Sequence, residues 1–146
     1  MKISTRTRYG MRAILEIALA YKAGKADPLQ IKVIAERQNI SNKYLEQLIA
    51  IIKFAGLVRS IRGPHGGYVL AKSPEDIKLS EIFRVLEGPV FTVECVENKE
   101  ACASFADCIT RRLWIEVNDA ILNVLTNKTL QDLVDMSEKK KMNYQI

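Results

Sequence analysis

Residues 31–71 read IKVIAERQNI SNKYLEQLIA IIKFAGLVRS IRGPHGGYVL A, and the fold turns on them. Ile31, Ile34 and Ala35 supply the apolar face of a short helix that breaks near Asn39. Ser41 stands where an N-cap is needed: its hydroxyl can accept from the free amides of a following helix that runs to about Phe54. In that helix Leu45, Leu48, Ile49 and Ile52 form a buried stripe, and Gly56 ends it. Two helices with apolar inner faces, joined by a tight turn, outline a helix-turn-helix. The continuation sharpens the outline. Leu57-Val58-Arg59-Ser60-Ile61 alternates like a strand, Arg62-Gly63-Pro64-His65-Gly66-Gly67 is turn chemistry, and Tyr68-Val69-Leu70-Ala71 returns. Together they predict a winged helix.

Upstream, Tyr9, Ala13, Ile17 and Ile14, Ala18, Tyr21 recur at a helical period, so a first amphipathic helix is expected from about Thr5 to Tyr21. Gly24 is placed as its stop, and Asp27-Pro28 marks a turn. Downstream a helix is expected from Ser80, with the serine as N-cap, to Glu87, closed by Gly88-Pro89. Val90 to about Asp107 has little periodicity and reads as a loop. The stripe then returns at Ile109, Leu113, Val117, Ile121, Val124 and Leu125, predicting a long helix. So long a stripe in a small chain calls for a symmetry mate, because operator readers are commonly two-fold dimers. Thr129 to Met136 offers a last short helix, and Lys139-Lys140-Lys141 reads as a solvated, disordered tail. The expected fold is mainly α with a small β-hairpin wing. It divides into a winged helix-turn-helix domain over 1–88, a cysteine-bearing loop over 89–108, and a dimerisation helix with tail over 109–146.

With 146 residues, 48% of them hydrophobic, the chain can bury one proper core. No run of about 18 apolar residues is present to span a bilayer, and the basic start MKISTRTRYG lacks a signal-type apolar core after it. A cytoplasmic protein with no membrane partner is expected. Charge is more telling divided than summed. Through Lys72 there are 13 Lys and Arg against 4 Asp and Glu, and afterwards 9 against 13, so the halves carry about +9 and −4. A basic half joined to an acidic half implies that one face meets a polyanion.

The outward face of the third helix offers Asn42, Lys43, Tyr44, Glu46 and Gln47 after the cap Ser41. Amides, carboxylates and hydroxyls in a first turn reach base edges in the major groove of double-stranded DNA. At the hairpin, Arg62 with Arg59 and His65 nearby suits a narrow, electronegative minor groove. Lys2, Ser4, Thr5 and Arg6 lie at the first helix N-terminus, where cations and free amides clamp phosphate. One histidine, placed on the wing, supplies no nucleophile and base pair, which argues against an enzyme with a small-molecule substrate.

Cys95, Cys102 and Cys108 form C-x6-C-x5-C within fourteen consecutive positions before the long helix. Three is an odd number in a chain for which no export signal is expected, which argues against a disulfide framework and for reduced thiols or metal ligation. Thiolates are soft donors for iron–sulfur clusters or zinc, and this spacing is unlike the short knuckles of structural zinc. Two other readings stand beside an operator-binding regulator with a cluster. One is a regulator controlled by a partner enzyme, with incidental cysteines; the other is an iron–sulfur carrier or redox protein whose basic half binds an acidic partner.

The segments MKISTRTRYGMRAILEIA, SNKYLEQLI, VRSIRGPHGGYVL, IFRVLEG and RRLWIEV resemble the family of winged-helix regulators that includes IscR, NsrR and CymR. The resemblance covers nearly the whole chain. It implies a homodimer, a long dimerisation helix and a cluster held in the loop before it, [2Fe–2S] rather than [4Fe–4S]. The three-cysteine pattern is similar to the cluster-binding members and absent from CymR-like ones. By the same likeness Ser41, Glu46, Gln47 and Arg62 match DNA-reading positions, and Glu46 the position linked to operator choice. IscR-like members carry a histidine three residues after the last cysteine; here that residue is Arg111, whose guanidinium does not deprotonate to ligate. NsrR-like members borrow a carboxylate near the eighth residue of the partner, which here is Arg8. The fourth ligand is open among Asp107, Glu97, Glu100, Glu16, an exogenous thiol or water.

Overall fold

A computed structural model describes residues 2–22, 25–90 and 92–144. Helix α1 spans Thr5–Leu19, capped by Ser4, whose hydroxyl accepts from the Thr7 N–H. It ends two residues before the expected Tyr21, because Tyr21–Lys22 (β1) pairs antiparallel with Lys25–Ala26 (β2). Gly24, the expected stop, lies outside the described residues. Helix α2 covers Ile31–Gln38 and turns at Asn39, whose φ of 52° is a left-handed helix end that asparagine tolerates. Helix α3, Asn42–Phe54, follows directly, and its buried side chains are Leu45, Leu48, Ile49 and Ile52.

The wing is β3, Val58–Ile61, paired antiparallel with β4, Gly67–Leu70, in the register Val58 to Leu70 and Ile61 to Gly67. Leu29 exchanges both backbone hydrogen bonds with Tyr68, at 2.9 and 3.0 Å, which pins the hairpin to the body. Gly67 is required there. Its φ is +155°, and a Cβ would lie 2.6 Å from the Leu29 carbonyl.

Helix α4 runs Leu79–Glu87, so its cap position is Lys78 rather than Ser80. The cap is fixed two residues early because Leu79 N–H donates to the Lys128 carbonyl at 2.9 Å, across a bridge between Lys78 and Thr129. Gly10 of α1 faces Leu86 of α4, where a Cβ would stand 2.6 Å from Leu86 Cδ1, so these helices pack at glycine distance. The stretch expected to be a plain loop holds a one-turn helix α5, Glu94–Glu97, and a 3₁₀ turn, Lys99–Ala101. The long helix α6 is Ile109–Asn127.

The last helix α7, Leu130–Asn143, is longer than expected and takes Lys139, Lys140 and Lys141 with it, correcting the disordered tail. Thr129 and Asp132 cap it reciprocally, and hydrogen bonds from Thr129 hold the Asp132 carboxyl below its usual range. Leu130 and Val134 bury themselves in the same core as α1, α3 and α4. That anchoring carries the helix onward, and the lysines near its C-terminus favour the dipole. The lysines themselves are exposed.

Candidate nucleic-acid interface and cysteine loop

Helix α3 is amphipathic, so burying its leucine and isoleucine stripe turns the opposite face outward. Asn42, Lys43, Glu46 and Gln47 are exposed there, and the Ser41 hydroxyl accepts from the Tyr44 N–H at 3.2 Å. Tyr44 differs from its neighbours. It is half-buried, with its ring edge-on to Tyr9 at 6.2 Å, and the Arg12 guanidinium lies 5.2 Å from the Tyr9 centroid. Much of Tyr44 is therefore spent on fixing α3 against α1. Arg59, Arg62 and His65 are all exposed on the wing, and Lys53 donates to Ser60 at 3.1 Å, tying the wing to α3.

The N-terminal candidates divide. Lys2, Thr5 and Arg6 are exposed, but the Arg6 Nε donates to the Leu86 carbonyl at 2.7 Å. Ser4 gives its N–H and, at 2.6 Å, its hydroxyl to the Glu87 carboxylate, which also accepts from the buried Thr7 hydroxyl. A carboxylate thus takes the Ser4 amide and hydroxyl, so Ser4 serves the cap and the junction with α4. The Ser4 and Thr7 hydroxyls hold the Glu87 carboxyl below its usual range.

A network the sequence reading missed locks the helix-turn-helix. Arg12 donates to the Gln38 side chain at 2.6 Å and to its carbonyl at 3.1 Å. Gln38 donates to Glu16 at 2.6 Å, and Arg37 pairs with the same carboxylate at 3.1 Å. Arg12 and Glu16 stand one turn apart on α1, which was visible; that α2 ends against them was not. Glu16 is thereby committed between α1 and α2.

Cys95, on α5, and Cys108, at the head of α6, are half-buried, while Cys102, after the 3₁₀ turn, is exposed. A hydrogen bond with the Thr110 hydroxyl, then the Arg111 N–H, holds the Cys108 thiol below its ordinary value. Among the described residues no three His, Cys, Asp or Glu side chains stand close enough to hold one metal ion. The donor chemistry nevertheless suits a thiophilic group, with three thiols on one short segment and a polarised one at a helix N-terminus. Asp107, Glu97 and Glu100 are exposed beside them.

The family model Rrf2, described as an iron-dependent transcriptional regulator, matches residues 3–136. The chain belongs to the Rrf2 family. Within it, the chain is 42% identical over 144 residues to the HTH-type transcriptional regulator CymR of Bacillus subtilis, covering 99% of this chain and 97% of that one. Its fold is similar to the solved CymR, the global cysteine regulator of B. subtilis, with TM-score 0.79 and 93% and 98% of the two chains covered. T. potens IscR is similar at TM-score 0.76 and 39% identity, with 96% and 90% covered. An Rrf2 protein of this kind is a transcription regulator and not an enzyme, and the architecture is the family's winged helix. Among the described residues no helix is long and apolar enough to cross a membrane.

Proposed function

We propose that this Rrf2-family chain is a cytoplasmic homodimeric repressor that reads a double-stranded DNA operator, its affinity set by a [2Fe–2S] cluster on Cys95, Cys102 and Cys108. One observation carries the reading. A single body bears an exposed polar and basic surface on α3 and the wing, and a three-thiol segment at the foot of α6. Asn42, Lys43, Glu46 and Gln47 would meet base edges or phosphate, with Arg59, Arg62 and His65 on the neighbouring groove and Lys2, Thr5 and Arg6 on flanking phosphates. Tyr44 and Ser41 position the helix. When bound, the cluster supplies a link among the loop segments that is sensitive to oxidant and to iron supply.

The dimer reading rests on α6. Its buried side chain is Asn118, whose Oδ1 has no partner among the described residues, while Leu113 is 50% and Val124 56% exposed. A helix that buries an amide and bares leucine and valine has its apolar face waiting for another surface, and the matching helix of a second copy fits by symmetry.

The test combines anaerobic purification, iron and sulfide analysis, and operator selection from genomic fragments. Visible cluster absorption, lost in cysteine variants, with affinity falling log-linearly with salt, is the expected result. A second reading is favoured by the spread of the three thiols and by the identity to CymR: a cluster-free regulator controlled by a partner enzyme. Protein that stays colourless after reconstitution while binding operator would select it.

A further inference from the structure

The segment from Thr92 to Cys108 has little means of folding itself. None of its residues is buried, α5 is one turn long, and its backbone hydrogen bonds are local, as where Phe105 N–H donates to the Cys102 carbonyl at 3.2 Å. A stretch of this kind normally stays open, since nothing offsets the entropy of ordering it. Here it is folded against α6, and one side chain of α6 contacts it at two separate places. Arg111 Nε donates to the Cys95 carbonyl at 3.0 Å. Its guanidinium lies over the Phe105 ring, 3.8 Å from the centroid. Cys108 itself caps the helix on which Arg111 stands, three residues before it. Arg111 thus touches the Cys95 segment directly, reaches Cys102 through Phe105, whose N–H donates to the Cys102 carbonyl, and stands on the helix that Cys108 begins.

We propose that Arg111 is a positioning residue: it gathers the three thiol-bearing segments onto the first turn of α6 before any metal arrives. It is not itself a ligand. The inference rests on the reading of the loop as a thiolate site only for its consequence, which is metal affinity; the gathering is a property of the metal-free chain. Both features of the guanidinium are used, since its central carbon lies over the Phe105 ring while Nε donates to the Cys95 carbonyl. Lysine shares the charge but neither the plane nor the fork, so charge alone will not replace it. Groups that orient ligands in this way typically contribute about 10- to 100-fold in metal affinity.

Three variants test the proposal in the full chain: Arg111→Ala, Arg111→Lys and Phe105→Tyr. Hydrogen exchange on metal-free protein comes first. Amides of residues 95–107 are expected to exchange on the order of 10-fold faster in both Arg111 variants, and at the wild-type rate in Phe105→Tyr, which keeps the ring. Co(II) is then titrated anaerobically, with the thiolate-to-cobalt band as readout. Half-saturation is expected at about 10- to 100-fold higher Co(II) in both Arg111 variants, with Phe105→Tyr unchanged. Far-ultraviolet circular dichroism confirms that the helices persist. Wild-type exchange rates in Arg111→Ala would overturn the gathering, and faster exchange with unchanged Co(II) affinity would overturn its role at the thiols. If wild type binds neither Co(II) nor a cluster while the Arg111 variants still open the loop, the metal reading fails and the positioning stands.

Discussion

Glu87 offers a measurement of how the first helix is held in place. Its carboxylate takes the Ser4 N–H at 3.2 Å, the Ser4 hydroxyl at 2.6 Å and the buried Thr7 hydroxyl, joining the C-terminus of α4 to the N-terminus of α1. Hydrogen bonds to a charged group contribute about 1.5–3 kcal/mol each, but they share one half-exposed carboxylate and solvent screens it, so the set is worth about 2 kcal/mol. With a urea slope of about 2 kcal/mol per molar for a chain of this size, Glu87→Ala moves the unfolding midpoint down by about 1 M. Glu87→Gln keeps an acceptor but not the charge, and moves it roughly half as far. The pH dependence is the sharper test. Because the folded carboxyl titrates below its unfolded value, the contribution is complete above the unfolded pKa, near 4.3, and is lost as pH falls through the lower folded value. The gap between wild type and Glu87→Gln should therefore stay constant from about pH 5.5 to 7 and close below about pH 4. Unfolding curves at one protein concentration, to hold any dimer term fixed, would read it. A gap that stayed the same from pH 3.5 to 7 would show that the charge of Glu87 plays no part.

Other expectations concern the reading surface, the bare helix and the core. Arg62→Ala should weaken operator binding by roughly 1–3 kcal/mol and relax preference at the bases it reads, as seen in fluorescence anisotropy; an unchanged affinity and footprint would remove the wing from the interface. Replacing Val117 and Ile121 of α6 by Asp should raise the dimer dissociation constant by on the order of 100-fold or more, since unpaired charge in an interface costs about 3 kcal/mol or more. A folded double variant still dimeric in sedimentation analysis would place the contact elsewhere. Gly10→Ala gains about 1 kcal/mol of helix propensity but drives a methyl into buried Leu86, which costs about 1–3 kcal/mol, so the melting temperature should fall; a rise would show that Leu86 yields freely.

The fold was legible where pattern and punctuation agreed. Ser41, the leucine and isoleucine stripe and Gly56 bracket α3, and alternation around a glycine-rich turn marks the wing, because local chemistry decides both. Legibility failed where a distant partner set the boundary. The Lys128 carbonyl pulls the start of α4 back to Leu79, and the pairing of Tyr21–Lys22 with Lys25–Ala26 cuts α1 short. The lysines after Met136 look like a tail in isolation. They become helix because Leu130 and Val134 insert upstream of them into a core that no local window contains.

At the candidate site the residue types were readable and their engagements were not. Ser4, Arg6 and Tyr44 have the chemistry of DNA contacts, yet each bonds or packs within the chain, to Glu87, Leu86 and Tyr9. Contacts with a sequence separation as large as 83 residues leave no mark in the local pattern from which such roles are read. Arg111 shows the same limit from the other side. By resemblance to IscR-like members it stands where they carry a histidine, and its side chain does not ligate. Beside Cys95 and Phe105 its cation offers a cation–π contact and a donated hydrogen bond in place of coordination. A loop held open by thiol chemistry alone would order only when metal bound; a loop already ordered by Arg111 has less entropy left to lose at that step. On the proposed reading, an arginine that cannot ligate would therefore still lower the cost of assembling the three thiols.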